Sequence, residues 1–131
     1  MRYDAQFFTP SEFACRCCGV GRPAALLALW LDLLRRAWGG PVRVNSGFRC
    51  AHHNAEVGGA KGSRHLIGCA ADIAPVGVDG AELARFLGLA QRFCALPGWE
   101  VRVYGTFIHV AVPRDQAARP WNGETIALEA V

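Results

Sequence analysis

Residues 63–73 read Ser63-Arg64-His65-Leu66-Ile67-Gly68-Cys69-Ala70-Ala71-Asp72-Ile73. An imidazole and a carboxylate stand here among small residues: Gly62, Gly68, Ala70 and Ala71. Side chains this small let another chain lie close to the backbone. Asp72 belongs to an apolar run, Ala70–Ala74, that reads as a short strand stopped by Pro75. A carboxylate in such a strand needs a partner, a metal or a shifted pKa. His109 raises the same problem inside Phe107-Ile108-His109-Val110-Ala111-Val112, which also reads as a strand. Alone, each is most simply a hydrogen-bonded core residue. Together with His65 in a glycine-rich loop they offer N, O and N donors to one zinc ion. Three protein donors with a fourth position open to water is the arrangement catalytic zinc uses.

Upstream of this stretch, Pro23 opens the strongest helical pattern, 23–38. Its apolar residues, from Leu26 to Trp38, are too many for one narrow stripe, so the helix is largely buried. Arg35 and Arg36 fall in its last turn and Gly39-Gly40 end it. Before it, Thr9-Pro10-Ser11-Glu12 predicts a helical turn with Thr9 as N-cap, and Cys15–Gly21 reads as loop. Pro41–Ser46 alternates as a strand does, residues 51–57 form one or two helical turns, and 60–68 is loop. Downstream, Asp79 caps a helix over 80–95, with Leu83, Phe86, Leu87, Ala90 and Phe93 on one face. Residues 99–104 and 106–112 read as a hairpin around Gly105. Trp99 and Tyr104 are expected in the hairpin core, and Trp121 either covers the site or pins the tail. The order helix, strand, loop, strand, helix, strand, strand predicts an α+β fold. It is a small, mostly antiparallel sheet with helices on one face. With no repeat or linker, residues 1–131 read as a single domain.

The composition sets the outer bounds. Hydrophobic residues make up 52% and charged residues 19% of the 131, which is globular rather than disordered. The net charge is +3, and basic residues are scattered, so no nucleic-acid surface is expected. A slight positive charge suits an acidic polymer such as a cell wall. Residues 1–14 lack the apolar stretch of a signal peptide, and no apolar run is long enough to span a membrane. The expectation is a monomer that stays cytoplasmic until something else releases it. Among the six cysteines, Cys69 and Cys94 sit in apolar surroundings and read as buried small hydrophobes. Cys15-x-x-Cys18 with Cys50-x-x-His53 has the spacing of a structural zinc site, and Cys17 adds a further ligand option. A disulfide involving Cys50 and free thiols stand beside that reading.

The pattern Ser63-x-His65-x-x-Gly68-x-Ala70-x-Asp72 resembles the signature of the zinc D-alanyl-D-alanine peptidases. That family holds D-alanyl-D-alanine carboxypeptidases and cell-wall endopeptidases and shares its fold with the Hedgehog signalling domain. Ser46-Gly47-Phe48-Arg49, His53-Asn54, Val57-Gly58-Gly59-Ala60 and Ser11–Cys15 are similar to its small zinc carboxypeptidase branch. The resemblance implies that His65, Asp72 and His109 bind Zn²⁺ and that Arg49 binds a substrate carboxylate. A guanidinium suits that task because its fork pairs with two oxygens. Ser63 would hydrogen-bond the substrate or hold the loop.

The implied activity is hydrolysis of a peptide bond in the peptidoglycan stem peptide. The enzyme would be a D,D-carboxypeptidase or an endolysin-like endopeptidase, such as a phage or prophage encodes. The chain departs from the family at the general base. The carboxylate that relatives carry three residues before or two residues after the last zinc histidine is here Thr106 or Ala111. Glu100 is the nearest upstream acid and is taken as the base. Its odd separation from His109 puts it on the opposite strand face unless the hairpin or a bulge re-aims it. Glu56, Asp79 and Asp115 are further options. Loss of the base would instead leave a non-catalytic zinc-bearing module that binds cell wall or a protein.

Overall fold

The computed structural model describes residues 1–130. In chain order its elements are β1 (Arg2–Tyr3), α1 (Ala25–Trp38), β2 (Val42–Ser46), α2 (Ala51–Glu56), β3 (Ala70–Pro75), α3 (Gly80–Cys94), β4 (Glu100–Val103), β5 (Ile108–Ala111) and β6 (Ile126–Ala127). Short 3₁₀ turns cover Pro10–Phe13, Arg64–Ile67 and Arg114–Ala118. Strands β2, β3, β5 and β4 form an antiparallel sheet in that order, and β1 pairs with β6. The α+β architecture expected from the sequence is the one observed. No helix among the described residues is long and apolar enough to cross a membrane.

Helix boundaries follow from local chemistry. Asp79 caps α3 by accepting the Glu82 N–H at 2.8 Å. The Glu12 carboxylate accepts the Thr9 N–H at 2.9 Å, so the first 3₁₀ turn is capped as expected. α1 begins two residues later than Pro23 because the backbone there is already engaged. The Pro23 carbonyl accepts from Trp121, the Ala24 N–H donates to Gly68, and the Ala25 N–H donates to Arg119. At its other end Gly39 takes φ +83° and its N–H returns to the Arg35 carbonyl.

The two sheet faces have different fates, because side chains alternate along a strand. Val44, Ile73, Ile108 and Val110 turn toward α1 and α3 and join Leu27, Leu31 and Phe86 in the buried core. Ser46, Asp72 and His109 turn to the other face, where the short α2 also lies. A register shift in β2 between Val44 and Ser46 skips Asn45, and this bulge sets Ser46 opposite Asp72. Gly47 follows at once. A Cβ there would stand 2.4 Å from the Phe13 carbonyl oxygen, which accepts the Phe48 N–H at 2.7 Å. Only glycine lets the amino-terminal turn sit this close.

Asp32 is the polar exception in α1. It is fully buried, and its carboxylate accepts the Tyr3 hydroxyl and the Gln6 and Phe7 N–H groups. The lead-in is thereby tied to the helix, which the apolar pattern of 23–38 did not reveal. Trp121 is buried, donates to the Glu124 carbonyl and pins the tail rather than covering the site. Trp99 stacks edge-on to Trp30 at 5.7 Å, as a hairpin core residue should. Asp32→Ala is expected to lower unfolding stability by about 1–3 kcal/mol, because it removes the acceptor of the Tyr3 hydroxyl and of the Gln6 and Phe7 N–H groups. Urea denaturation followed by tryptophan fluorescence measures it, and Asp32→Asn should lose less.

Candidate metal centre

Strand pairing places Asp72 directly opposite His109 on the open face of the sheet. His65 reaches the same point from the 3₁₀ turn Arg64–Ile67, whose start is capped by the Ser63 hydroxyl accepting the His65 N–H at 3.2 Å. Gly68 ends that turn at φ +76°, where a Cβ would stand 2.3 Å from the Arg22 carbonyl oxygen. The chain can therefore turn straight from His65 into β3. All three side chains are buried.

The ring orientations follow from their partners. His65 Nδ1 lies 2.7 Å from the Gly47 carbonyl oxygen, which can only accept, so Nδ1 carries the proton. Its Nε2 faces Asp72 Oδ1 at 3.3 Å. His109 Nδ1 lies 2.9 Å from the same Oδ1, and its Nε2 lies 3.1 Å from Glu100 Oε1. One donor atom from each of His65, Asp72 and His109 falls within 4.8 Å of the others. Two imidazole nitrogens and a carboxylate oxygen facing one point are a fitting donor set for zinc, with histidine orientation fixed by outer partners as such sites require.

The electrostatics of the metal-free cluster agree. Burial pushes the Asp72 pKa up, but hydrogen bonds from His109 and His65 outweigh it and hold the carboxyl well below its usual range. Burial pushes His109 down, and Asp72 and Glu100 outweigh that and raise it. Glu100 is lowered: burial opposes ionisation, while His109 and the Arg64 guanidinium favour it.

The cluster forms the floor of a cavity of about 390 Å³. Arg49 and Ser63 line one part of it, and Glu100, Arg102, Tyr104 and Phe107 another. Arg49 Nη2 lies 3.3 Å from Asp72 Oδ2, its Nε donates to Ser46, and its Nη1 donates to Asn54. Each terminal nitrogen keeps a further N–H for a ligand. Tyr104 corrects the sequence reading. It is 45% exposed and stacks on Phe107 at 4.7 Å at the hairpin tip, lining the cavity rather than the core.

Glu100 also corrects the parity argument. Alternation by odd and even numbers holds within one strand, whereas β4 and β5 pair Glu100 with Ala111 and Arg102 with His109. Directly opposed residues share a face, so Glu100 and His109 are cofacial with no bulge needed. Glu100 stands beside Ala111, one of the two positions where the expected carboxylate is missing. Its second oxygen lies 3.5 Å from Arg64 Nε, and Arg64 is held by the Gly98 and Val112 carbonyls. The other acids considered are elsewhere: Glu56 pairs with exposed His52, Asp79 caps α3, and Asp115 lies in the turn 114–118. Arg64 and Arg102 carry no sequence signal of their own and are brought in by a shared partner and by the strand register, whereas Asn54 belongs to the His53-Asn54 motif and reaches the site through Arg49.

The second cysteine expectation is half right. Cys15, Cys18 and Cys50 do meet, but the fourth member is Cys17 and not His53. His53 groups instead with Cys17 and Glu56. The six cysteines are free thiols, so no disulfide to Cys50 is present, and Cys69 and Cys94 are buried as expected.

The sequence model of the Peptidase M15 family matches residues 6–111, spanning the donor triad, Arg49 and Glu100. The chain belongs to the Peptidase M15 family. A curated relative, the zinc D-Ala-D-Ala carboxypeptidase of Streptomyces albus G, is 44% identical over 72 residues. That stretch is 53% of this chain and 26% of the relative, so the match spans about a quarter of the relative's length.

In this Peptidase M15 chain, stripped of metal, the Asp72–His109 pair sets a pH window. Asp72 is depressed, so its contribution is present above its unfolded pKa of about 3.9 and is lost as pH falls through the folded value. His109 is raised, so its contribution is complete below about 6.5 and is lost as pH rises through the folded value. The metal-free protein should be most stable between roughly pH 4 and 6.5. Loading zinc should move the optimum upward, because metal and protons compete for the histidines. Thermal melts across pH with and without chelator check both statements.

Proposed function

We propose that the protein is a zinc-dependent peptidase that hydrolyses the terminal D-alanyl-D-alanine bond of a peptidoglycan stem peptide. The observation that carries this reading is the His65, Asp72 and His109 donor set on the floor of a cavity that also holds a guanidinium and a second carboxylate. Membership of the Peptidase M15 family and the name of the Streptomyces relative support it. His65 through Nε2, Asp72 through Oδ1 and His109 through Nδ1 would hold the metal. Bound there, zinc supplies Lewis acidity that polarises the scissile carbonyl and acidifies the attacking water.

The remaining roles belong to the chain. Arg49 takes the free carboxylate of the terminal D-alanine with its unused terminal N–H groups. Its bonds to Ser46, Asn54 and Asp72 hold the guanidinium still. Ser63 keeps its hydroxyl on the His65 backbone and so fixes the turn that presents His65. Glu100 is the acid–base group. It is the cavity carboxylate outside the donor triad, and it is held ionised and so able to accept a proton. Before substrate binds, its Oε1 accepts the His109 Nε2–H, which leaves Nδ1 free as a ligand. Tyr104 and Phe107 wall the cavity at the hairpin tip and limit water on that side.

The decisive experiment measures metal content and D-alanine release from a stem pentapeptide together. The intact protein should bind zinc at this centre and release D-alanine, and His65→Ala and Asp72→Ala should lose both. Cleavage of cross-linked wall without D-alanine release would mark an endopeptidase instead. Zinc at His65 and Asp72 with hydrolysis of neither substrate would leave a binding module. Glu100→Gln keeps an acceptor for His109 but removes the base. It should retain zinc and lose kcat by about 10²–10⁴-fold. Near-normal kcat in that variant would reduce Glu100 to orienting His109.

A further inference from the structure

We propose that Cys15, Cys17, Cys18 and Cys50 form a second metal site, a closed four-thiolate centre for Zn²⁺ that is separate from the cavity. The Sγ atoms of these residues all lie within 4.8 Å of one another. Cys17 and Cys50 are 3.4 Å apart, Cys15 and Cys50 3.7 Å, and Cys15 and Cys17 3.8 Å. A tetrahedron of sulfurs around zinc, with Zn–S near 2.3 Å, has edges of about 3.8 Å. A disulfide needs about 2.05 Å for one pair and would leave the other two thiols unexplained. Four soft donors at this spacing select zinc over oxygen-seeking cations.

The backbone is shaped for such a site. The loop from Cys15 to Val20 is closed on itself by the Cys15 N–H to the Val20 carbonyl and the Gly19 N–H to the Cys15 carbonyl, each at 2.8 Å. Three of the thiols therefore come from one tight turn. The fourth comes from the N-cap of α2, far along the chain. Backbone N–H groups already point at the sulfurs: Cys50 donates to Cys15 Sγ and His53 to Cys50 Sγ, both at 3.4 Å. Donors of this kind stabilise bound thiolates. Each thiol that binds gives its proton to solvent, and no oxidant is involved.

With four protein ligands the centre has no open position, so its role is structural. It clamps the amino-terminal loop to the start of α2, one residue from Arg49. His53 is spared as a ligand, although its spacing from Cys50 is suggestive. The two metal sites share no ligand, so this inference stands or falls separately from the peptidase reading.

Protein isolated from zinc-supplemented cultures should carry two zinc ions per chain. The His65→Ala, Asp72→Ala double variant should keep one. Grown with cobalt, both the intact protein and that double variant should show the strong near-ultraviolet band of thiolate-to-cobalt charge transfer. A His/Asp/His centre has no sulfur and cannot give it. Cys17→Ser replaces an exposed residue and should lose most of the band, whereas His53→Ala should keep it. Absence of the band in the intact cobalt protein overturns the proposal. So does a band lost with His53→Ala but kept with Cys17→Ser, or a Cys17–Cys50 disulfide found by alkylation and mass spectrometry.

Discussion

One carboxylate organises the open face of this sheet. Asp72 Oδ1 meets both His65 and His109, and Oδ2 meets Arg49. A buried charge of this kind is tolerable only when its partners are complete. Every neighbouring element is therefore answerable to it. β5 must pair in the register that sets His109 opposite, the 3₁₀ turn before β3 must deliver His65, and β2 must bring Arg49 round after its bulge. A slip of one residue in any pairing would turn the whole set toward the helices. The same face that costs most to bury is thus the one that is most sharply specified.

The scaffold meets these demands with close backbone approaches rather than with large side chains. Gly47 presses on Phe13 while its carbonyl orients His65, and Gly68 presses on Arg22 at the entrance to β3. Asp32 holds the lead-in against α1 so that Phe13 is where Gly47 needs it. Structure far from the cavity therefore reaches the imidazole of His65 through a chain of contacts. On the opposite face the packing is conventional: leucines of α1 and Phe86 of α3 cover Ile73, Ile108 and Val110.

The carboxylate nearest the three clustered residues comes from a neighbouring strand rather than from β5 itself. Ala111 carries no carboxylate, and the residue paired with it across the sheet on β4 is Glu100. Across a sheet, a neighbouring strand offers the same face at nearly the same place, about 5 Å away. Chemistry that depends on position in space tolerates such exchange, whereas a pattern written along one strand does not register it.

The sequence by itself determined the order of elements, the α+β class, the helix caps at Thr9 and Asp79 and the three polar residues, His65, Asp72 and His109, that meet on the open face of the sheet. These are local or periodic signals: turn chemistry, alternation, and polar groups stranded in apolar runs. Its motif also pointed to Arg49 and Ser63. Only the tertiary structure decided that Glu100 shares a face with His109, because parity across a hairpin depends on register and register depends on the loop. It likewise decided that Cys17, not His53, joins Cys15, Cys18 and Cys50. Spacing along the chain limits which residues can meet, but a tight turn and a distant helix cap choose among them through distances that no linear pattern encodes.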